Sequence, residues 1–150
     1  MAKGGAKANF NRQAITDAIV EGCARAALMA IIKTQAELKI NLSQAGTGIK
    51  HPGLKYRSSA PGRSPAVQTG HLRRSWQVGK PRRVAAGNRL GWMIGSNQPY
   101  AARLEFGGGK IFPRPYVRPA LRKVSALVGP MFTREIGNSL RKAGITRGGA

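Results

Sequence analysis

Apolar residues recur at helical spacing in two long stretches of this chain, and alternate with polar residues only briefly between them. In the first stretch Ile15, Ile19, Cys23, Ala26, Ala30 and Leu38 mark one face of a helix. Asn11 is a residue type that caps helix N-termini, and Phe10 and Ile15 occupy the two positions of a hydrophobic staple. Asp17 and Glu21 lie towards the positive end of the same helix, where their charge is favoured. Residues 22–30 are mostly alanine and glycine, so this face is expected to approach another backbone closely, on the sheet or on a neighbouring subunit. In the second stretch Val117, Leu121, Val124, Val128 and Met131 keep the spacing, and Ile136 and Leu140 extend it. That helix is expected to begin around Pro119, a residue suited to the first turn. Gly129-Pro130 is expected to kink or split it, because proline removes a backbone donor and clashes with the preceding turn.

Between the helices the pattern shortens. Residues 43–68 carry no sustained periodicity and read as a long basic loop with Lys50, Lys55, Arg57 and Arg63; loops of that length are usually functional or disordered. Thr69-Gly70 opens a short turn through Leu72. Ser75–Val78 and Leu90–Ile94 read as two strands joined by a long basic hairpin with Arg82 and Arg83 near its arm. Gly95–Pro99 reads as a turn, and Tyr100–Phe106 as a third strand, or a short helix followed by a strand. The expected fold is α+β: an N-terminal helix, a small mostly antiparallel β-sheet with long loops, and a C-terminal helix. At 150 residues this is one domain, 1–150, with a basic lead at 1–9 and a basic tail at 141–150.

Charge changes the picture most. The chain carries 26 basic and 5 acidic residues, a net charge of +21, far beyond what solubility requires. No acid occurs between Glu37 and Glu105, while Lys and Arg recur throughout that interval. Such an imbalance is self-repelling and points to a polyanionic or acidic partner, against the plainer reading of a solvated basic surface. Cys23 is the one cysteine, which excludes an intrachain disulfide; on an apolar helix face it reads as a small hydrophobe. Two histidines, one cysteine and scattered acids make a structural zinc site improbable, and no cofactor motif is present. No apolar run is long enough to span a membrane, and the first ten residues lack the apolar core of a signal peptide, so assembly in a reducing cytoplasm is expected.

No catalytic constellation is visible. Glu105 is the lone acid of the basic middle, and without a second group to move a proton it reads as half of a structural ion pair with Arg73, Arg103 or Arg114. Gly107-Gly108-Gly109 lacks the Gly-Lys-Ser/Thr end of a phosphate loop and reads as a flexible tip or tight turn. In Phe112-Pro113-Arg114-Pro115-Tyr116 each residue before a proline is pushed out of the helical region. The segment is expected to be a stiff brace that packs Phe112 and Tyr116 onto the sheet, a subunit contact carried by Phe112, Arg114, Tyr116 and Arg118, or both.

Three pieces of sequence occur in a fixed order. Pro61, Gly62, Pro65, Thr69, Gly70, Leu72 and Ser75 fit P-G-x-x-P-x-x-x-T-G-x-L-x-x-S. Tyr100–Gly107 reads Y-A-x-x-L-E-F-G, and Pro113–Leu121 reads P-R-P-Y-x-x-P-A-L. In this order the chain resembles the tail-completion or neck proteins of tailed phages, also called minor tail or head–tail joining proteins. The resemblance implies a non-enzymatic virion part: a homo-oligomeric ring of six subunits at the head-proximal end of the tail, which completes the tail and joins it to the head connector. Implied partners are other neck and tail proteins (connector or stopper, tail terminator, tail tube), with non-specific contact to genomic DNA and none to a membrane. In that reading Arg57, Arg63, Arg82 and Arg83 face the lumen and DNA, or a neighbouring subunit. The alternatives are a tail terminator or head-closure ring, and a free nucleic-acid-binding basic protein.

Overall fold

A computed structural model describes residues 11–50, 52–53, 55–83 and 90–145. The element order is α1 (Arg12–Asn41), α2 (His71–Ser75), β1 (Trp76–Val78), β2 (Arg82–Arg83), β3 (Leu90–Gly91), β4 (Ile94–Ser96), α3 (Ala101–Phe106) and α4 (Val117–Lys142). The fold is α+β, with the long helices near the two ends of the chain and the short elements between them. The basic lead at 1–9 and the chain beyond 145 lie outside the described residues. Arg141 and Lys142, read from sequence as the start of the tail, instead close α4, and Gly144 follows in the left-handed conformation that commonly ends helices.

Asn11 caps α1 as its residue type predicts: its side chain accepts from the Ala14 backbone N–H. The buried stripe of α1 is narrower than the apolar pattern and offset from it. It runs through Ala18, Gly22, Ala26, Thr34 and Leu38 in steps of four or eight, while Ile19 is 39% exposed. Small residues win because α4 lies against them. A Cβ added at Gly22 would stand 2.6 Å from the Ile136 Cα and 3.0 Å from the Glu135 carbonyl oxygen. Gly22 faces Ile136, Glu37 pairs with Lys123 and Asn41 reaches Tyr116, so the two helices run antiparallel. Pro130 does not split α4. It sits on the exposed side, as does Ala126, the residue whose carbonyl it cannot bond.

The sheet is one interrupted hairpin. β1 pairs antiparallel with β4 (Trp76 opposite Ser96, Val78 opposite Ile94), and β2 with β3 (Arg82 opposite Gly91, Arg83 opposite Leu90). The Gly79 N–H extends the first ladder to the Met93 carbonyl. Lys80 and Pro81 then face the single residue Trp92, so the register shifts by one between the ladders. Proline has no N–H for a ladder, which accounts for the break there. The expected second strand, Leu90–Ile94, is thus divided. Its inner part continues through Ser96, into residues read as a turn. Tyr100–Phe106 resolves to a helix, α3, with no strand. Its alanine pair favours helix, and its C-cap Gly107 has φ 80°.

One small core lies where these elements meet the end of α1. Leu38, Leu42, Leu72, Trp76, Tyr116 and Ala120 are buried together, with Ile94, Ala101, Leu104 and Val117 packed around them. The Trp76 and Tyr116 rings meet edge to face, 5.9 Å between centroids. Polar side chains tie the backbone across this core: Gln35 donates to the Trp76 carbonyl at 2.7 Å and Asn41 to the Tyr116 carbonyl at 2.9 Å. The described part of the 43–68 loop is held against itself. Ser58 N–H donates to the Ile49 carbonyl and Gly48 N–H to the Ser58 carbonyl. Gly46 lies so close to the Arg57 carbonyl oxygen (1.9 Å from an added Cβ) that no side chain fits there.

The close helix approach gives a paired prediction. Gly22→Ala lowers the stability read by urea unfolding by about 1–3 kcal/mol, although alanine is the better helix former. Gly137→Ala, where an added Cβ meets nothing within 4 Å, raises it by about 0.5–1 kcal/mol. A Gly22→Ala protein as stable as the parent contradicts the packing described.

Candidate functional site

The three sequence pieces converge on one side of the core. Leu72 comes from the first, with Trp76 directly after it, Leu104 and Glu105 from the second, and Tyr116 and Ala120 from the third. The chemical centre of this arrangement is Glu105, 6% exposed. Its Oε2 accepts from the Tyr116 N–H at 2.8 Å and the Val117 N–H at 2.9 Å, and its Oε1 from the Arg118 N–H at 3.1 Å. A helix begins with four backbone N–H groups that have no partner inside it. In α4 three of them, at Tyr116, Val117 and Arg118, go to one carboxylate. The fourth position is Pro119, which has no N–H. The negative charge also sits where the helix dipole favours it.

The ion pair expected for Glu105 is therefore replaced by a helix cap. Three ion pairs occur among the described residues, Arg25–Glu21, Lys123–Glu37 and Arg134–Glu135, and Glu105 belongs to none of them. The backbone wins because three N–H groups already surround both carboxylate oxygens. Tyr116 is almost completely buried, which removes it from any subunit contact. Its phenol is held well above its ordinary pKa, by burial first and then by the nearby Glu105 carboxylate, and its O–H donates to the Ala101 carbonyl at 3.2 Å.

The Pro-Arg-Pro segment is a brace, held on both sides. Arg114 N–H donates to the Leu104 carbonyl at 2.7 Å, Gly62 N–H to the Pro113 carbonyl, and Ser64 Oγ to the Pro115 carbonyl. Phe112 does not share Tyr116's fate: it is 67% exposed. The cause is the glycine triplet. Gly107, Gly108 and Gly109 all take positive φ, and the tight turn they form swings Ile111 and Phe112 outward. Phe106 is exposed beside them, with the Arg118 guanidinium 5.5 Å from its ring centroid. The result is a small exposed apolar patch with one cation.

Arg57 and Arg63 are exposed on the 43–68 loop, and Arg57 donates weakly to the Gly48 carbonyl. Arg82 and Arg83 form β2, away from that loop in the chain. A cleft of about 680 Å³ opens between the loop, α2 and α3, lined by Leu42, Leu72, Arg73, Tyr100, Leu104 and Arg114 among others. Sequence reasoning did not find this cleft, since it forms only when residues far apart in the chain are brought together. Arg114 reaches it with one guanidinium N–H on the Ser59 carbonyl, while its Nε is buried without an acceptor. A buried donor left unpaired costs about 1–3 kcal/mol. A second, more apolar groove of about 530 Å³ runs between α1 and α4, beside Met29, Ile32, Leu127 and Pro130. Among the described residues no group of three His, Cys, Asp or Glu side chains is placed to hold a metal ion. No family model, characterised protein or solved structure matches the chain.

Glu105→Gln tests the cap against the ion pair. An amide presents one acceptor where the carboxylate has two, and turns a donor towards the helix N–H groups. The substitution lowers unfolding free energy by about 1–3 kcal/mol. Arg73→Gln and Arg103→Gln change it by less than about 0.5 kcal/mol. Losses at either arginine equal to the loss at Glu105 restore the ion-pair account.

Proposed function

We propose that this protein is a structural part of a tailed-phage virion. It forms a homo-oligomeric ring, of six subunits, at the head-proximal end of the tail, completing the tail and joining it to the head connector. The observation that carries the reading is the meeting of three separated sequence pieces in one unit. The glutamate of Y-A-x-x-L-E-F-G caps the helix that opens in P-R-P-Y-x-x-P-A-L. Leu72, from the first piece, packs in the same core. That the three pieces meet in one unit for a physical reason supports reading them together, as the resemblance to tail-completion proteins does.

The surface suits such a part. The exposed patch of Phe106, Ile111 and Phe112 with Arg118 is the subunit contact in this proposal. Arg114 and Tyr116, expected there from sequence, serve the brace and the core instead. The basic positions Arg57, Arg63, Arg82 and Arg83 then face the lumen or the adjoining ring, where lysine and arginine hold a DNA backbone without reading its sequence. A net charge of +21 opposes association of identical subunits at low ionic strength. Assembly therefore strengthens as salt shortens the Debye length to about 3 Å.

The test is electron microscopy of the purified protein mixed with isolated tails, together with sedimentation of the protein alone across a salt series. The expected result is rings at one end of the tails and a salt-dependent oligomer. Phe112→Ser and Arg118→Ser reduce ring formation while changing monomer stability by less than about 0.5 kcal/mol. A permanent monomer at high salt, with bare tail ends, overturns the proposal. Tight, salt-steep binding to free duplex DNA without rings favours the nucleic-acid-binding alternative.

A further inference from the structure

We propose that the cleft between the 43–68 loop, α2 and α3 binds an acidic peptide segment of another protein, taking a carboxylate against Arg73 and Arg114. Two guanidinium groups from distant parts of the chain reach this one cleft. Neither belongs to any of the ion pairs found among the described residues. Arg114 spends one N–H on the Ser59 carbonyl and Arg73 one on the Ser43 hydroxyl. A guanidinium has five N–H donors, so most of this capacity is unspent. Glu105, the nearest acid in sequence to Arg114, is fully engaged by the start of α4. The site is thus a pair of preplaced cations that the fold leaves unneutralised.

The walls decide what the anion is attached to. Leu42 and Leu72 are buried beneath the cleft, and Leu104 and Tyr100 flank it. Polar side chains such as Ser58, Gln68 and Gln98 share the lining with these apolar groups. A mixed wall with two arginines suits a carboxylate carried on an extended peptide, which brings apolar side chains and backbone hydrogen-bonding groups with it. Duplex DNA presents its phosphates on a convex rod and has no apolar group to bury there. A second copy of this chain is also a poor source. Of its five acids, Glu105 and Glu135 are buried, and Asp17, Glu21 and Glu37 lie on the helix α1 and not on an extended segment that could enter a cleft. The occupant is therefore a segment of a different, acidic protein. This deepens the joining reading by naming the chemistry of the partner.

The experiment uses the full chain alone in about 0.15 M salt. Its probes are a fluorescein-labelled acetylated hexapeptide alternating Glu and Leu, the same peptide with Gln for Glu, and a labelled short DNA duplex, all read by fluorescence anisotropy. The expected result is binding of the Glu peptide at least about tenfold tighter than the Gln peptide. Arg73→Gln and Arg114→Gln each weaken it by about tenfold or more, as loss of a charge-assisted pair requires. Arg122→Gln, an exposed cation on α4, leaves it unchanged. Arg114 also supports the brace; if its variant does not fold, Arg73→Gln decides alone. Three results overturn the proposal: no preference for the Glu peptide, equal weakening by Arg122→Gln (a diffuse charge effect), or a cleft-specific loss confined to the DNA duplex. Because no tails or heads are present, failure here leaves the ring reading standing, and failure of ring formation leaves this one standing.

Discussion

One carboxylate organises the middle of this molecule. Glu105, on a six-residue helix, takes the three free N–H groups at the start of a 26-residue helix. Because Tyr116 is one of the residues it holds, the same contact fixes a buried ring against Trp76 and places the start of α4 beside the end of α1. The short elements have little else to hold them. A two-residue strand or a six-residue helix is not stable by itself; it persists because its neighbours fix both ends. Remove the cap, and the linkage between α3 and α4 rests on the proline brace and a few apolar contacts.

The far half of the molecule obeys a different constraint. There α1 and α4 approach through Ala18, Gly22 and Ala26, and close backbone contact replaces large side chains. The chain has few aromatics with which to build a large core. It compensates with length: two long antiparallel helices, packed tightly, carry a small sheet and a long loop at one end. Large hydrophobics such as Ile32 and Leu127 are left on the outside of this pair, and the self-repelling charge is spread over loops and helix faces.

Much of this was legible in the sequence, because it follows from local rules. The Asn11 cap, both long helices, the antiparallel hairpin and the tight glycine turn are each set by residues close together in the chain. What was not legible depended on distance. Glu105 read as half of an ion pair because arginines abound, yet its partners are backbone groups that no side-chain pattern displays. A partial signal was present all the same: no Ser, Thr, Asp or Asn stands ahead of Pro119 to cap the helix, so its first N–H groups needed an acceptor from elsewhere. The small residues at 22–30 announced a close backbone approach, but not that α4, in place of the sheet or a neighbouring subunit, makes it, nor that it moves the buried stripe onto Gly22. Phe112 and Tyr116 looked equivalent on either side of Pro-Arg-Pro; the glycine turn sends one out and the helix start draws the other in. The arginine-lined cleft needed α2, α3 and the loop together.

The central claim is that a single buried carboxylate holds the first N–H groups of α4, and hydrogen exchange read by NMR addresses it most directly. Amides in the first turn of a helix ordinarily exchange quickly, because they lack intrahelical partners. Here the Tyr116, Val117 and Arg118 amides are predicted to be protected to a degree like that of amides inside α4. Exchange of all three at the rate of an open loop, within an otherwise protected α4, would contradict the account.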